Sequence, residues 1–212
     1  MRDKIIVIDD AISSKFQDMI ENITFNRIRW QYVQDVTYAN NDLKDKSLDK
    51  RPAFVHLMCS QGEVFSEYMM LYETLIYEAC NKAGVNFEGI VKGRTFLQLP
   101  LNTNHEVVDP LHIDMGAPHL SFIYYVKDSD GDTLFVNKKF GPNVDDSLVY
   151  KIEDYDIIKR VTPKKGRVVI FDGWQYHTAE QPKNDVRCIA NFNLYSQELT
   201  DEYNIKLNAR LK

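Results

Sequence analysis

The sequence predicts an α+β chain with a mainly β core, an antiparallel sandwich or barrel whose flank is covered by helices from the N-terminal part. Three observations predict this. Beyond about residue 90, apolar residues fall into short runs or alternate with polar ones, separated by Gly, Pro, Asn and Asp, the pattern of brief strands and turns. Before that point two apolar patterns recur at three- and four-residue spacing, as on a helix face. With 212 residues, 44% hydrophobic and 27% charged, the chain suffices for one globular unit with a substantial core.

The elements follow in order. Lys4 to Asp9, KIIVID, reads as an edge or accessory strand. Ser14 and Gln17 form a candidate capping box for a short helix with Phe16, Met19, Ile20 and Ile23 as its stripe. Trp30 to Tyr38 reads as a further strand, and the polar NNDLKDKSLDKRP (40–52) as a surface connection in preference to a lid. His56, in FVHLM, is expected to be a satisfied core histidine. The longest helix is expected from about Gln61 to Ala83, capped by Ser60 with Glu63 and stopped at Gly84. Its buried stripe is Phe65, Tyr68, Met69, Tyr72, Leu75, Ile76, Ala79, Cys80 and Ala83, which is core and not a cofactor box. Gly89 to Leu99 reads as a strand in which Thr95, Leu97 and Leu99 alternate with Phe96 and Gln98. After LSFIYYV, the segment DSDGDT has its glycine misplaced for a calcium loop and is expected to be a hairpin turn. Gly141 to Gly166 is an insert whose IIKRV, Ile157 to Val161, is the best strand candidate.

A net charge of −5 gives no electrostatic footprint for nucleic acid. Lys138, Lys139, Lys164, Lys165 and Arg167 read as solvated loop residues. Three cysteines, Cys59, Cys80 and Cys188, lack metal-site spacing and sit in apolar surroundings, so reduced thiols and a cytoplasmic location are expected. No apolar run approaches the ~20 residues of a membrane span.

The chemistry concentrates in LHIDMGAPHLSFIYYVKDSDGDTLF, Leu111 to Phe135. In an extended strand His112 and Asp114 project from one face, and an imidazole with a carboxylate makes half of a site for a divalent transition metal. His177 offers the third ligand, just beyond the apolar Val168 to Phe171 strand. His105 and His119 lie near these residues but are not favoured as ligands. Across a turn comes RCIANFNLY, where Arg187, Ile189, Asn191 and Asn193 share one face and Cys188, Ala190, Phe192 and Leu194 the other. If the polar face points into a barrel, Arg187 is a candidate anchor for a ligand carboxylate. Trp174 and Tyr176, which flank His177, either line a substrate mouth or pack.

His112-x-Asp114, LSFIYYV, GDTLF, GRVVIFDGWQYH and Arg187, in that order over roughly residues 90 to 195, together resemble the iron(II)- and 2-oxoglutarate-dependent oxygenases, particularly the prolyl 4-hydroxylase-like branch. The resemblance implies a double-stranded β-helix, a jelly-roll and cupin-like fold, with N-terminal flanking helices. It implies a single dioxygenase domain over 1–212, with a helical flank to about residue 88, a β-helix core over about 89–196 and a C-terminal tail from about 197. His112, Asp114 and His177 would hold Fe(II), Arg187 and Tyr125 the distal carboxylate of 2-oxoglutarate, and Asn191 would lie beside that co-substrate. Gln98 or Leu99 would approach it from the strand before. The implied reaction takes O2 and 2-oxoglutarate, hydroxylates a C–H bond and releases succinate and CO2. Asp114 argues against the halogenating relatives, which lack the carboxylate. A prolyl side chain in a protein or peptide is the leading substrate class. Alternatives are a small molecule such as a free amino acid, or a non-catalytic or other-metal cupin-like module.

Overall fold

The computed structural model describes residues 4–36, 51–100, 108–141 and 151–210, with side chains as far as residue 205. His105 and most of the 40–52 connection lie outside the described residues. The elements are β1 (Ile6–Ile8), α1 (Ser14–Asn26), β2 (Gln31–Val33), β3 (Ala53–Ser60), β4 (Glu63–Val64), α2 (Met69–Ala83), β5 (Gly89–Gln98), β6 (Leu120–Tyr125), β7 (Thr133–Lys139), a 3-10 turn (Ile152–Asp154), β8 (Ile157–Val161), β9 (Val168–Asp172), β10 (Gln175–Ala179), β11 (Arg187–Tyr195) and α3 (Gln197–Arg210). An eight-stranded sheet runs β1-β9-β6-β11-β5-β3-β2, with β4 on β3, and a three-stranded sheet runs β10-β7-β8; the pairings given for these strands are antiparallel.

Strand alternation divides the large sheet into two faces with different partners. From its outer face Phe122, Tyr124, Val168, Ile170, Phe192 and Leu194 pack against Ile20 of α1 and Tyr72, Leu75 and Ile76 of α2. From its inner face Ile123, Tyr125, Val169, Phe171 and Ile189 meet Phe135 and Val161 of the small sheet. The alternation expected in RCIANFNLY is borne out, because Ile189 joins the inner cluster while Cys188, Ala190, Phe192 and Leu194 join the outer one. Ile157 to Val161 is the strand expected in the insert.

Several expectations are corrected. α2 starts at Met69, eight residues late, because Gln61 and Gly62 both take positive φ, 51° and 85°, and close a two-residue hairpin between β3 and β4. Ser60 and Glu63, expected to cap a helix, are instead a cross-strand pair, and Phe65 is exposed. The stop at Gly84 is as expected, in the left-handed region with its N–H on the Asn81 and Cys80 carbonyls. α1 is preceded by Ser13, whose side chain makes no capping bond, and Gln17 turns back to the Ile12 carbonyl at 3.0 Å. Met19 of the expected stripe faces solvent, while Thr24 is buried against Tyr72. The strand expected over Trp30 to Tyr38 shrinks to Gln31–Val33, with residues 37 and 38 outside the described set. DSDGDT is not a hairpin turn: β6 pairs with β9 and β11, so the chain must leave one sheet for the other there. Residues expected as a tail form α3, and its Tyr203 donates to Asp172 at 2.6 Å.

The basic residues expected in solvated loops are paired. Arg167 Nε and Lys164 Nζ meet Asp9 at 2.6 and 3.3 Å, tying β1 to the turn before β9. The Arg167 hydrogen bond, outweighing partial burial and helped by Lys164, lowers the Asp9 pKa to about 2. A carboxylate whose folded pKa is depressed adds stability above its unfolded pKa and loses it as pH falls through the folded one. Asp9→Asn is therefore expected to be less stable than the native chain at pH 6, with most of that difference gone near pH 2, checked by urea unfolding at both pH values.

Candidate metal and anion site

His112 and His177 are placed opposite each other by a short antiparallel bridge, His112 N to His177 O at 3.0 Å and His177 N to His112 O at 3.1 Å. Residues facing each other in such a pair project to the same side. Their ring centroids lie 4.5 Å apart. The bridging segment is held down by Asp109, whose N–H donates to Ala179 O at 2.9 Å and whose carboxylate accepts from Gln181 Nε2 at 2.6 Å. Asp114 lies in the bend that follows and not in an extended strand, yet one ligand atom from each of His112, Asp114 and His177 falls within 4.8 Å of the others.

The protonation pattern suits a divalent cation. Burial, reinforced by His112 and opposed by Asp114, pushes the His177 pKa down to about 4, which keeps the imidazole neutral near pH 7. His177 Nδ1 lies 3.0 Å from the Gln175 carbonyl and His112 Nδ1 3.2 Å from that of Pro110. A carbonyl only accepts, so each Nδ1 carries the proton and each Nε2 is left as the ligand atom. Burial alone would raise the Asp114 pKa; His177, His112, His119 and the Ser121 hydrogen bond overcome it and hold the carboxyl ionised, well below the usual range.

Three donors clamp that carboxylate: Ser121 Oγ at 2.8 Å, Asn193 Nδ2 at 3.1 Å and Asn191 Nδ2 at 3.2 Å. Asn191, expected beside the co-substrate, thus has its amide nitrogen on Asp114, while its Oδ1 is buried and without a hydrogen-bond partner. Ser121 and Asn193 were not singled out from sequence. Asn193 was on the polar face, but nothing local links it to Asp114, 79 residues away.

Arg187 is buried on the same inner face. Of the five N–H donors of a guanidinium, Nε–H goes to the Gly131 carbonyl at 2.9 Å, one Nη1–H to Gln98 Oε1 at 2.8 Å and one Nη2–H to Thr133 Oγ1 at 2.9 Å. Five less three leaves two, and among the described carboxylates none forms an ion pair with it. Tyr125 donates to the same Thr133 oxygen at 2.7 Å, so the Thr133 hydroxyl proton must point elsewhere. Gly131 allows this approach: a Cβ there would lie 2.7 Å from Glu180 O and 2.9 Å from Arg187 Cδ. Thr133 is a further residue missed from sequence, because GDTLF alone does not say which strand faces Arg187.

The remaining candidates separate. Gln98 takes the inward position, and Leu99 lies past the end of β5 and is exposed. Trp174 donates to the Gly116 carbonyl at 3.0 Å and packs on Tyr203 at 3.8 Å, at the edge of the site. Tyr176 packs outside the small sheet with Leu111 and Val136, on the opposite side of β10 from His177, which meets Phe135 and Phe171. His119 is buried, with Nδ1 on the Ala117 carbonyl and Nε2 on Ser121 Oγ, behind Asp114. His56 is satisfied as expected, by Arg29 O and Ser66 Oγ.

No family model matches the chain, and no curated protein matches it. Solved structures do. A 2OG-Fe(II) oxygenase family oxidoreductase from Burkholderia pseudomallei aligns with a TM-score of 0.63 at 11% identity, over 90% of this chain and 84% of that one. A prolyl hydroxylase from Trichoplax adhaerens, in complex with a hypoxia inducible factor oxygen degradation domain peptide fragment, aligns at 0.56 and 10%, over 93% and 86%. HygX from Streptomyces hygroscopicus, with nickel, 2-oxoglutarate and hygromycin B bound, aligns at 0.57 and 9%, over 91% and 83%. The fold is that of the 2OG-Fe(II) oxygenases, a double-stranded β-helix.

Proposed function

We propose that the protein is an iron(II)- and 2-oxoglutarate-dependent dioxygenase that hydroxylates a C–H bond and releases succinate and CO2. One observation carries the reading: the convergence of two imidazole Nε2 atoms and an ionised carboxylate on the same inner face as a buried arginine with N–H groups to spare. Two His and one carboxylate leave coordination positions open, the pattern of non-haem iron oxygenases. A purely structural metal would not need the arginine, and a buried cation without a counter-ion is costly, so an anionic ligand is expected there.

The donor set therefore fits Fe(II), with His112, Asp114 and His177 as its protein ligands. Arg187 and the Thr133 hydroxyl would take the distal carboxylate of 2-oxoglutarate, with Tyr125 and Gln98 fixing those two side chains. When bound, iron and 2-oxoglutarate supply the oxidising chemistry. The chain's own share is orientation and the exclusion of side reactions. Ser121, Asn191 and Asn193 hold the Asp114 carboxylate in register, Gln175 and Pro110 fix the two imidazole tautomers, and Phe135, Phe171 and Ile189 keep the interior dry. Within this reading, the prolyl 4-hydroxylase-like spacing makes a prolyl side chain in a protein or peptide the leading substrate. A small molecule is the second reading, supported by the likeness to HygX.

An anaerobic titration tests the assignment. Metal-free protein given iron(II) and then 2-oxoglutarate is expected to develop the visible charge-transfer band of a bidentate keto acid on iron. Iron binding without the band would sink the oxygenase reading and favour a structural or other-metal cupin-like module.

A further inference from the structure

The inner face of β5 carries two cations, Lys92 and Arg94, that lie outside the candidate ligand set and the Arg187 anchor. Register fixes their direction: Lys92 pairs with Asn193 and Arg94 with Asn191, the two asparagines that donate to Asp114. Directly paired residues share a face, so Lys92 and Arg94 point inward beside the proposed iron ligand. Further along the same face come Phe96 and then Gln98, the partner of Arg187. The Arg94 guanidinium lies over the Phe96 ring, 4.8 Å from its centroid, and Phe96 packs on the inner cluster. Both cations thus lie level with Asp114 and away from Arg187, two residues and about 7 Å apart along the strand.

Solvated surface lysines keep their ordinary pKa, whereas burial, aided by Arg94 and opposed by Asp114, lowers that of Lys92. Among the described residues no carboxylate pairs with Lys92. Asp114 is already served by Ser121, Asn191 and Asn193, and as a metal ligand it would have little charge to spare.

We infer that Lys92 and Arg94 form the specificity subsite for an oxyanion, a carboxylate or phosphate, carried by the substrate close to the C–H bond that is oxidised. This rests on the oxygenase reading, and it narrows the substrate to an acidic class: a small acid, or a peptide with an acidic group beside the target residue. Two cations on one rigid strand can share one oxyanion, and the half-buried setting makes each contact stronger than it would be in water.

The test uses the full chain loaded with iron(II) and 2-oxoglutarate, and the charge-transfer band is recorded first in every variant, so loss of the oxygenase reading is seen separately. Succinate release is then measured with matched pairs of free amino acids and of short peptides, each pair differing only as carboxylate against carboxamide or as phosphate against hydroxyl. The anionic member is expected to stimulate release at least tenfold more than its neutral partner. Carboxylate and phosphate arms identify the oxyanion, and free and peptide arms identify its source. The preference is expected to fall to within twofold of unity in Lys92→Met and Arg94→Gln and to be partly kept in Arg94→Lys, with the change carried by KM. A band with no preference for any anionic member, or a preference that survives both neutral substitutions, overturns the assignment.

Discussion

His112→Ala is expected to weaken iron(II) binding by at least ~100-fold and to abolish the charge-transfer band with 2-oxoglutarate, while changing folding stability by no more than about 0.5 kcal/mol. The two halves of that expectation have different causes. Loss of an outer-sphere partner alone typically costs a metal site 10–100-fold, and His112 would be one of three direct ligands. Its ring, however, is exposed and its one side-chain hydrogen bond is a 3.2 Å contact to the Pro110 carbonyl, so truncation opens no buried cavity. His177→Ala should lose iron as completely but also unfold at lower urea, because that ring is buried between Phe135 and Phe171. Calorimetric iron titration beside urea unfolding separates the two variants. Native-like iron affinity in His112→Ala would remove it from the ligand set.

Arg187→Ala is expected to weaken 2-oxoglutarate by ~100-fold or more and to leave iron(II) affinity nearly intact. Truncating one partner of a buried charged pair costs about 2–5 kcal/mol, and every ~1.4 kcal/mol is tenfold in affinity. Because Gly131 O, Gln98 and Thr133 lose a donor as well, the variant will be less stable, so Arg187→Lys is the companion: it keeps the charge and should retain part of the affinity. Thermal unfolding gives an independent reading. A ligand at 100 times its Kd stabilises the native state by about 2.7 kcal/mol, so 2-oxoglutarate should raise the melting temperature of the iron-loaded native protein and not that of Arg187→Ala. An equal loss of iron and 2-oxoglutarate would show that Arg187 supports the fold of the site and not the co-substrate.

Much of this site was legible because its information is local. His112, Asp114 and His177 are residue types with few cheaper uses at that spacing, and Arg187 heads a strand whose alternation marks one face as polar. The same alternation identified β11, a bounded apolar run identified β9, the β-branched IIKRV segment β8, and a C-capping glycine the stop of α2 at Gly84. Other features were not. The start of α2 was misread because Ser60-x-x-Glu63 satisfies both a capping box and a tight hairpin, and only the pairing of β3 with β4 selects the hairpin. DSDGDT looked like a hairpin turn because its neighbours are both strands, and nothing within it reveals that they belong to different sheets.

The sequence by itself therefore singled out the three candidate ligands, the candidate carboxylate anchor and the division of each long strand into two faces. Only the tertiary structure decided which face is interior, and with it that Gln98 and not Leu99 meets Arg187, that Tyr176 packs outward, and that Ser121, Asn191 and Asn193 clamp Asp114. The reason is physical: a period of two records that a strand has two sides, but the choice between them is made by hydrogen-bonded partners 77 or 89 residues away, as for Asn191 with Asp114 and Arg187 with Gln98.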